Sequence, residues 1–279
     1  MTDRILPRTG GAWHQIAPLI FDGRVDSTHL PRIFGGTLAS QAVRAATIVA
    51  GPGVRIYGLY VHFVGGGKPA QSVRYTVEPI AQGRNLQSFR VVGRQGATVA
   101  MHATVNFRAV RDGYTRQIEA PTVTSPEECR PLIDDLARRG SSFGEFWEKE
   151  WGRYFEIRLA SSPVETLSRQ LLWIRALPAS PFVNGAEALT FISDLTPIGV
   201  ALQSLGEVLG SKTVAVSTLD HAMWFHRSVD LTDWVLYDQA CPTTSGGFGL
   251  IESQIFSRAG GLVAHVTQHA LIRRHLPHP

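Results

Sequence analysis

The sequence predicts an α+β protein built from one repeated unit, a long apolar helix wrapped by a curved antiparallel sheet. Three observations lead there. A nearly uncharged helical stretch over residues 37–50 is followed by four strand-like runs; a second apolar helix over 194–208 is followed by four more. The hairpins entering the last strand of each set also match in sequence. The expected organisation is an N-terminal domain over 1–110, a connector over 111–150 and a C-terminal domain over 151–279.

Residues 12–34 read as a proline-punctuated lead-in, with Ile16, Leu19, Ile20 and Phe21 ahead of a polar turn. Gly35-Gly36 then introduces a helix in which Leu38, Ala42, Ala45, Ala46 and Val49 recur at helical spacing. Alanine is the best helix former, and a helix whose one charge is Arg44 suits burial on most sides. Gly51-Pro52-Gly53 ends it. The runs 54–64, 72–79, 86–92 and 97–108 read as strands, separated by glycine-bearing turns. Periodicity fades over 111–150, where Glu127-Glu128, Pro131, Asp134-Asp135 and Gly140-Ser141-Ser142 mark a connector with short helical pieces. Phe155-Glu156-Ile157-Arg158-Leu159 opens the second half. There Ser193 or Asp194 is placed to cap the 194–208 helix, and strands fall near 213–226, 234–241, 249–257 and 261–273. At a gapless offset of 164, Arg94, Gly96, Val99 and Ala100 meet Arg258, Gly260, Val263 and Ala264. Gly83 and Leu86 meet Gly247 and Leu250 in the same alignment. One irregular domain with similar hairpins is the rival reading; the matching order of elements favours duplication.

The 279 residues, 44% of them hydrophobic, are enough for a sizeable core. No window approaches the roughly 18–20 unbroken apolar residues of a membrane span. Met1-Thr2-Asp3-Arg4 leads into Pro7 and Gly10-Gly11 without the apolar stretch of a signal peptide. Cys129 and Cys241 fit no metal or redox spacing and read as free thiols, which points to the cytoplasm. The net charge of +4 is scattered rather than gathered into a stripe. That argues against nucleic acid and leaves a mild attraction for a polyanionic ligand.

The stretch Ser217–Arg227, reading Ser-Thr-Leu-Asp-His-Ala-Met-Trp-Phe-His-Arg, is too polar for an ordinary core strand. It is also too rich in aromatics and histidines for an ordinary surface strand. Alternation puts Val214, Val216, Thr218, Asp220 and Ala222 on one face if no bulge intervenes. In the last strand Gln268 is a lone amide among Leu262, Ala264, Val266, Ala270 and Ile272. An unpaired buried amide costs about 1–3 kcal/mol, so Gln268 needs partners. Taken singly, each candidate has an ordinary explanation: β-propensity for Thr218, an N-cap for Asp194, backbone bonding for Gln268. Together, a helix start and two strands can converge on one point beside a helix N-terminus. A carboxylate, a hydroxyl and an amide there would orient one water, with the carboxylate as general base and a nearby backbone N–H for an oxyanion. His221 and His226, five apart on a strand, face opposite ways and read as packing rather than metal ligands. There is no Gly-x-Ser-x-Gly elbow, phosphate loop or dinucleotide fingerprint.

These residues resemble a known family, acyl-CoA thioesterase II, the TesB-type double-hotdog enzymes. The resemblance runs from Phe34-Gly35-Gly36 to the Gln268 strand. Its most specific parts are Ser193-Asp194-Leu195, Val200-Ala201-Leu202-Gln203 and Thr218-x-Asp220-His221-x-Met223-Trp224-Phe225-His226-Arg227. Trp234-x-Leu236-Tyr237 and Gly261-Leu262-Val263-Ala264 follow, and Pro163-Val164-Glu165 and Trp173-Ile174-Arg175-Ala176 look like the family's passage into its second domain. The resemblance implies two tandem hotdog domains and a catalytic trio of Asp194, Thr218 and Gln268 that activates water for thioester hydrolysis. It further implies a fatty acyl-CoA substrate, no metal, no cofactor, and a homo-oligomer (dimer or tetramer) built through the sheets. Two departures stand in the first half: Gly35-Gly36-Thr37 where the family reads Gly-Gly-Gln, and Phe63-Val64-Gly65-Gly66-Gly67-Lys68-Pro69 where it carries a Phe-x-Arg-Pro-Gly-type turn. Both are expected to bear on acyl-chain preference, tunnel shape and assembly and to leave the trio untouched. The other classes open at this point are a non-catalytic acyl-CoA or acyl-carrier binding protein and a hotdog hydratase or dehydratase. The latter wants an aspartate–histidine pair at a helix start, and no histidine follows Asp194 within the next turns.

Overall fold

A computed structural model describes residues 13–24, 30–162, 166–181 and 185–274. The start of the chain read for a signal peptide and the passage at 163–165 lie outside the described residues. The lead-in is a hairpin of β1 (Trp13–Ala17) and β2 (Ile20–Arg24), followed by helix α1 (Gly35–Ala50). Strands β3 (Val54–Phe63), β4 (Ser72–Gln82), β5 (Leu86–Gln95) and β6 (Thr98–Ala109) complete the first half. The connector holds a short 3-10 turn, the two-residue β7 (Arg130–Pro131), α2 (Leu132–Arg138) and α3 (Phe143–Glu150). The second half comprises β8 (Phe155–Ala160), β9 (Arg169–Ala176), α4 (Gly185–Ser193), α5 (Pro197–Gln203), β10 (Val214–Phe225), β11 (Val235–Ser245), β12 (Phe248–Ser257) and β13 (Leu262–Arg274).

All thirteen strands form one antiparallel sheet in the order β1-β2-β4-β5-β6-β3-β10-β13-β12-β11-β9-β8-β7. The halves meet where β3 pairs with β10, from Asp220 opposite His62 to Trp224 opposite Gly58. The strands were legible because one face is buried. In β4, Val73, Tyr75 and Val77 are buried while their neighbours are exposed. On that inner face lies α1, with Leu38, Ala39, Ala42, Val43, Ala45 and Ala46 shut away from solvent. Its alanines let sheet and helix approach closely, and its polar Gln41 is satisfied inside by the Tyr75 hydroxyl at 2.7 Å. Helix α4 packs against α1. Among the described residues no helix is long and apolar enough to cross a membrane.

Three expectations need correction. The lead-in is not irregular but a hairpin that extends the sheet edge, and β9 is a strand the pattern missed because all its central residues are buried. The second helix is not one element over 194–208. It begins at Gly185, breaks at Asp194-Leu195-Thr196 and restarts at Pro197, which lacks an N–H and belongs in a first turn. Third, a bulge does intervene in β10: its pairing with β13 slips between Thr218 and Asp220. Thr218 therefore shares the inner face not with Asp220 and Ala222 but with His221, Met223 and Phe225, while Asp220 turns out to bond His269. An equivalent slip occurs in β3 between Ile56 and Gly58, against β6. Between bulged partners the β12–β13 hairpin encloses residues 257–261, one more than the 95–98 of the β5–β6 hairpin. The bulged pair Arg94–Val99 thus corresponds to Phe256–Leu262, not to the residues matched without gaps.

The seam is core. Leu59 of β3 is fully buried there, so Leu59→Ala is expected to cost about 3 kcal/mol, mid-range for a buried leucine. Urea unfolding reads this directly, and a loss under about 1 kcal/mol would place the seam outside the cooperative core.

Candidate active site

Helix α1 starts without a capping side chain, since Phe34 precedes it. Its first N–H groups need acceptors from elsewhere. The acceptor comes from the other half of the chain: the Gly36 N–H donates to the Asp194 carboxylate. Asp194 thus caps α1 rather than a helix of its own. The approach needs glycine. A Cβ on Gly35 would stand 2.7 Å from Asp194 Oδ2, and one on Gly36 would stand 2.8 Å from the Phe191 carbonyl. The Gly35-Gly36 pair, which precedes the departure at Thr37 and itself matches the family, is thus in contact with the Asp194 carboxylate.

The Asp194 turn is held from several sides. Tyr237 donates to the Ser193 carbonyl at 2.7 Å, and Gln239 Nε2 donates to Thr196 Oγ1 at 2.6 Å. Both come from β11; the first satisfies a backbone carbonyl that the broken helix leaves free, and the second ties down the Thr196 side chain. From β10, Thr218 donates to Asp194 Oδ1 at 3.2 Å. Asp194 is 7% exposed. Burial disfavours its charged form and pushes its pKa up to about 7, against the opposing pull of Thr218 and the Gly36 N–H.

Gln268 sits on β13 two residues from Ala270, the partner of Thr218, and so reaches the same inner face. Among the described residues it bonds neither Asp194 nor Thr218. Its Oε1 lies 2.9 Å from His221 Nδ1, and His221 Nε2 lies 2.9 Å from Ser193 Oγ. An amide oxygen can only accept, so His221 Nδ1 carries the proton and Nε2 accepts from Ser193. Burial holds His221 down at about 4, neutral at ordinary pH. The Gln268 Nε2 remains without a partner although fully buried. His221, read from the sequence as packing, is thus the link between Gln268 and the Asp194 turn; the bulge at Leu219 hid this. His226 does face away, as expected, and meets His265 at 2.9 Å. No aspartate–histidine pair of the dehydratase kind forms, because His221 bonds Ser193 and not Asp194.

Asp194 and Thr218 border a cavity of about 650 Å³. Its walls are largely apolar; the connector supplies two of the aromatics, Phe143 and Phe146, and Trp151 follows directly after it. Trp151 packs on Phe34 with ring centres 4.7 Å apart. Arg32 and Arg273 also line this cavity. The arrangement offers a carboxylate of near-neutral pKa, a hydroxyl on it, an unsatisfied amide donor near it and an apolar chamber beside it.

Comparison with known proteins gives the family. Residues 23–108 match the model of the acyl-CoA thioesterase N-terminal domain, and residues 126–272 match that of the C-terminal domain. The chain belongs to the acyl-CoA thioesterase family. It is accordingly a thioester hydrolase. It is 29% identical to acyl-CoA thioesterase 2 of Haemophilus influenzae over 93% of this chain and 94% of that protein. The acyl-CoA thioesterase II TesB2 from Mycobacterium marinum superimposes with a TM-score of 0.77 at 27% identity, covering 96% of this chain and 98% of the other. A hot dog fold protein of unknown function from Alicyclobacillus acidocaldarius, 20% identical, shares the fold with a TM-score of 0.78 over 99% of this chain and 100% of its own.

The raised pKa of Asp194 has a stability consequence. The folded state holds this proton between about pH 4 and 7 while the unfolded chain, near 3.8, releases it. The unfolded state therefore binds fewer protons, and this group's contribution falls as pH rises through that window. Asp194→Asn removes the charge and should raise the melting temperature relative to wild type more at pH 8 than at pH 4. Equal differences at both pH values would show that the carboxylate is not held protonated by burial.

Proposed function

We propose that the chain hydrolyses fatty acyl-CoA to a free fatty acid and CoA through a water held by Asp194, Thr218 and Gln268. The observation that carries this reading is the buried Asp194–Thr218 pair on the wall of an apolar cavity, at the N-terminus of α1. Ionised Asp194 takes a proton from water as the water oxygen attacks the thioester carbonyl. Thr218 fixes the carboxylate by donating to Oδ1, and the free Gln268 Nε2–H donates to the water. Negative charge develops on the carbonyl oxygen near the positive end of α1. The C–S bond then breaks, and the CoA thiolate leaves with the proton that Asp194 took up. His221 is a positioning residue: by giving its Nδ1 proton to Gln268 Oε1 it aims the amide N–H at the water.

The acyl chain lies along Phe34, Leu38, Phe63, Phe146, Trp151 and Leu195, and Arg32 and Arg273 offer cations to the CoA phosphates. The reading includes two tandem hotdog domains, 1–110 and 151–279, joined by the connector. Separate matches to N- and C-terminal domains and the paired bulges support that division. It also includes a homo-oligomer, dimer or tetramer, formed through the sheets. Exposed Tyr60, in edge contact with Trp224 on the outer face of the seam, is consistent with such a surface.

Thiol release from acyl-CoAs of increasing chain length tests the whole. Asp194→Ala and Gln268→Ala should each lower kcat by about 10²-fold or more, the usual scale of general-base and water-orienting contributions, with the proteins still folded. Wild-type turnover by both would sink the mechanism, and saturable binding without thiol release in the wild type would favour a non-catalytic binding protein. With its base titrating near 7, kcat/KM should climb about tenfold per pH unit below 7 and level off above it. His221→Ala should lower kcat with KM little changed, and His221→Asn should restore part of it; unchanged turnover in His221→Ala would remove the positioning role.

A further inference from the structure

A second cavity, of about 480 Å³, lies at the other end of the β3–β10 seam, between the later turns of α1 and the start of α4. It stands to β3 as the candidate active site stands to β10. Aligning the bulges sets Ile56 at the place of Thr218 and Val105 at the place of Gln268. Arg44 stands as far beyond Gly35 as Asp194 stands beyond Gly185, and it acts on Glu187 near the start of α4 as Asp194 acts on the start of α1. The hydroxyl, amide and carboxylate of the first site are therefore replaced by two aliphatic chains and a guanidinium. At those three positions nothing remains to hold and activate a water as proposed for the first site.

What it does have is cationic. Arg55 of β3 and Arg108 of β6 face each other directly across the ladder. Like charges in that position are destabilising, and among the described residues neither guanidinium has an acid or a hydrogen-bond acceptor against it. Both line the cavity, together with Arg44 and Arg227. Glu187 is the one acid among the lining residues, and burial pushes its carboxyl towards the neutral form. Ile56, Phe107, Leu189 and Phe225 make the remainder apolar.

We propose that this second cavity binds, without hydrolysing it, a ligand with an apolar chain and an anionic head, the chain on the inward-facing Ile56, Phe107 and Leu189 and the head at the exposed mouth, where Arg55 and Arg108 line it. The same chemistry is offered by a free long-chain carboxylate and by an acyl-CoA, and the proposal goes beyond the hydrolytic reading without relying on its residue roles. Calorimetric titration of the full chain with dodecanoate, and separately with the S-dodecyl thioether of CoA, distinguishes the two sources. The expected result is two equivalents bound per chain for at least one ligand, and one equivalent in Arg55→Met/Arg108→Met, with lauroyl-CoA turnover within about twofold of wild type. A second equivalent seen with dodecanoate identifies the free acid as an occupant; one seen with the thioether alone identifies the CoA conjugate. Fewer than two equivalents of both ligands in wild type, two in the double variant, or turnover lost together with the second equivalent would overturn the proposal. Arg55 and Arg108 are exposed, so the variant is expected to fold. Failure of every acyl-CoA to release thiol would count against the hydrolytic reading while leaving the stoichiometry readable.

Discussion

The structure depends on one buried carboxylate held between the two halves of the chain. Asp194 belongs to the second half by sequence, yet it accepts from the first turn of α1 and from Thr218 on β10. Three effects compete on it. Burial pushes its pKa up, while the Gly36 N–H and the Thr218 hydroxyl stabilise the charged form, and burial wins, leaving a pKa of about 7. A fully satisfied carboxylate would be too weak a base, and an unsupported one would stay protonated. The intermediate outcome needs α1 to lack a cap of its own and to begin with glycines.

Much of this architecture could be read from residue order. Eight strands and α1 were legible because each buries one side, so apolar residues recur at the period of the element. The proposed trio stood out for the opposite reason, as polar residues in places where polarity is costly. What could not be read depends on contacts distant in sequence or on a slip of one residue. The bulge at Leu219 carries no glycine to announce it, yet it reverses which side chains of β10 face inward and moves His221 from bystander to partner of Gln268. The break at Asp194–Thr196 was hidden because the residues around it are as apolar as a continuous helix would require, and Pro197 was the one local signal. The aromatic wall from α3 was hidden because a connector of faded periodicity gives no clue to what it will cover.

The two halves share strand order and bulges but not chemistry. At corresponding places the first half carries Ile56, Val105 and Arg44, and the second carries Thr218, Gln268 and Asp194. A shared scaffold does not by itself supply chemistry, and under the proposed mechanism hydrolysis belongs to the copy that carries these three side chains. The connector and the residue after it add to the asymmetry, since Phe143, Phe146 and Trp151 line the candidate active-site cavity and none of them lines the other.

The half that carries the proposed trio is also the half where local rules are broken. Helix α1 is continuous, alanine-rich and ended by Gly51, whereas its counterpart is split into α4 and α5. Splitting a helix frees backbone groups, and leaving them unpaired in a core would cost about 1–3 kcal/mol each. Here one is met by a buried side chain from β11, the Tyr237 hydroxyl on the Ser193 carbonyl, while Gln239 from the same strand holds the Thr196 hydroxyl. Those same bonds fix the turn that presents Asp194, so what repairs the helix also orients the base. A continuous helix would carry the chain past the α1 N-terminus without turning a carboxylate into it. Departures from local propensity concentrate where a site demands them, and in this chain the departure, its repair and the proposed catalytic carboxylate occupy the same four residues, Ser193 to Thr196.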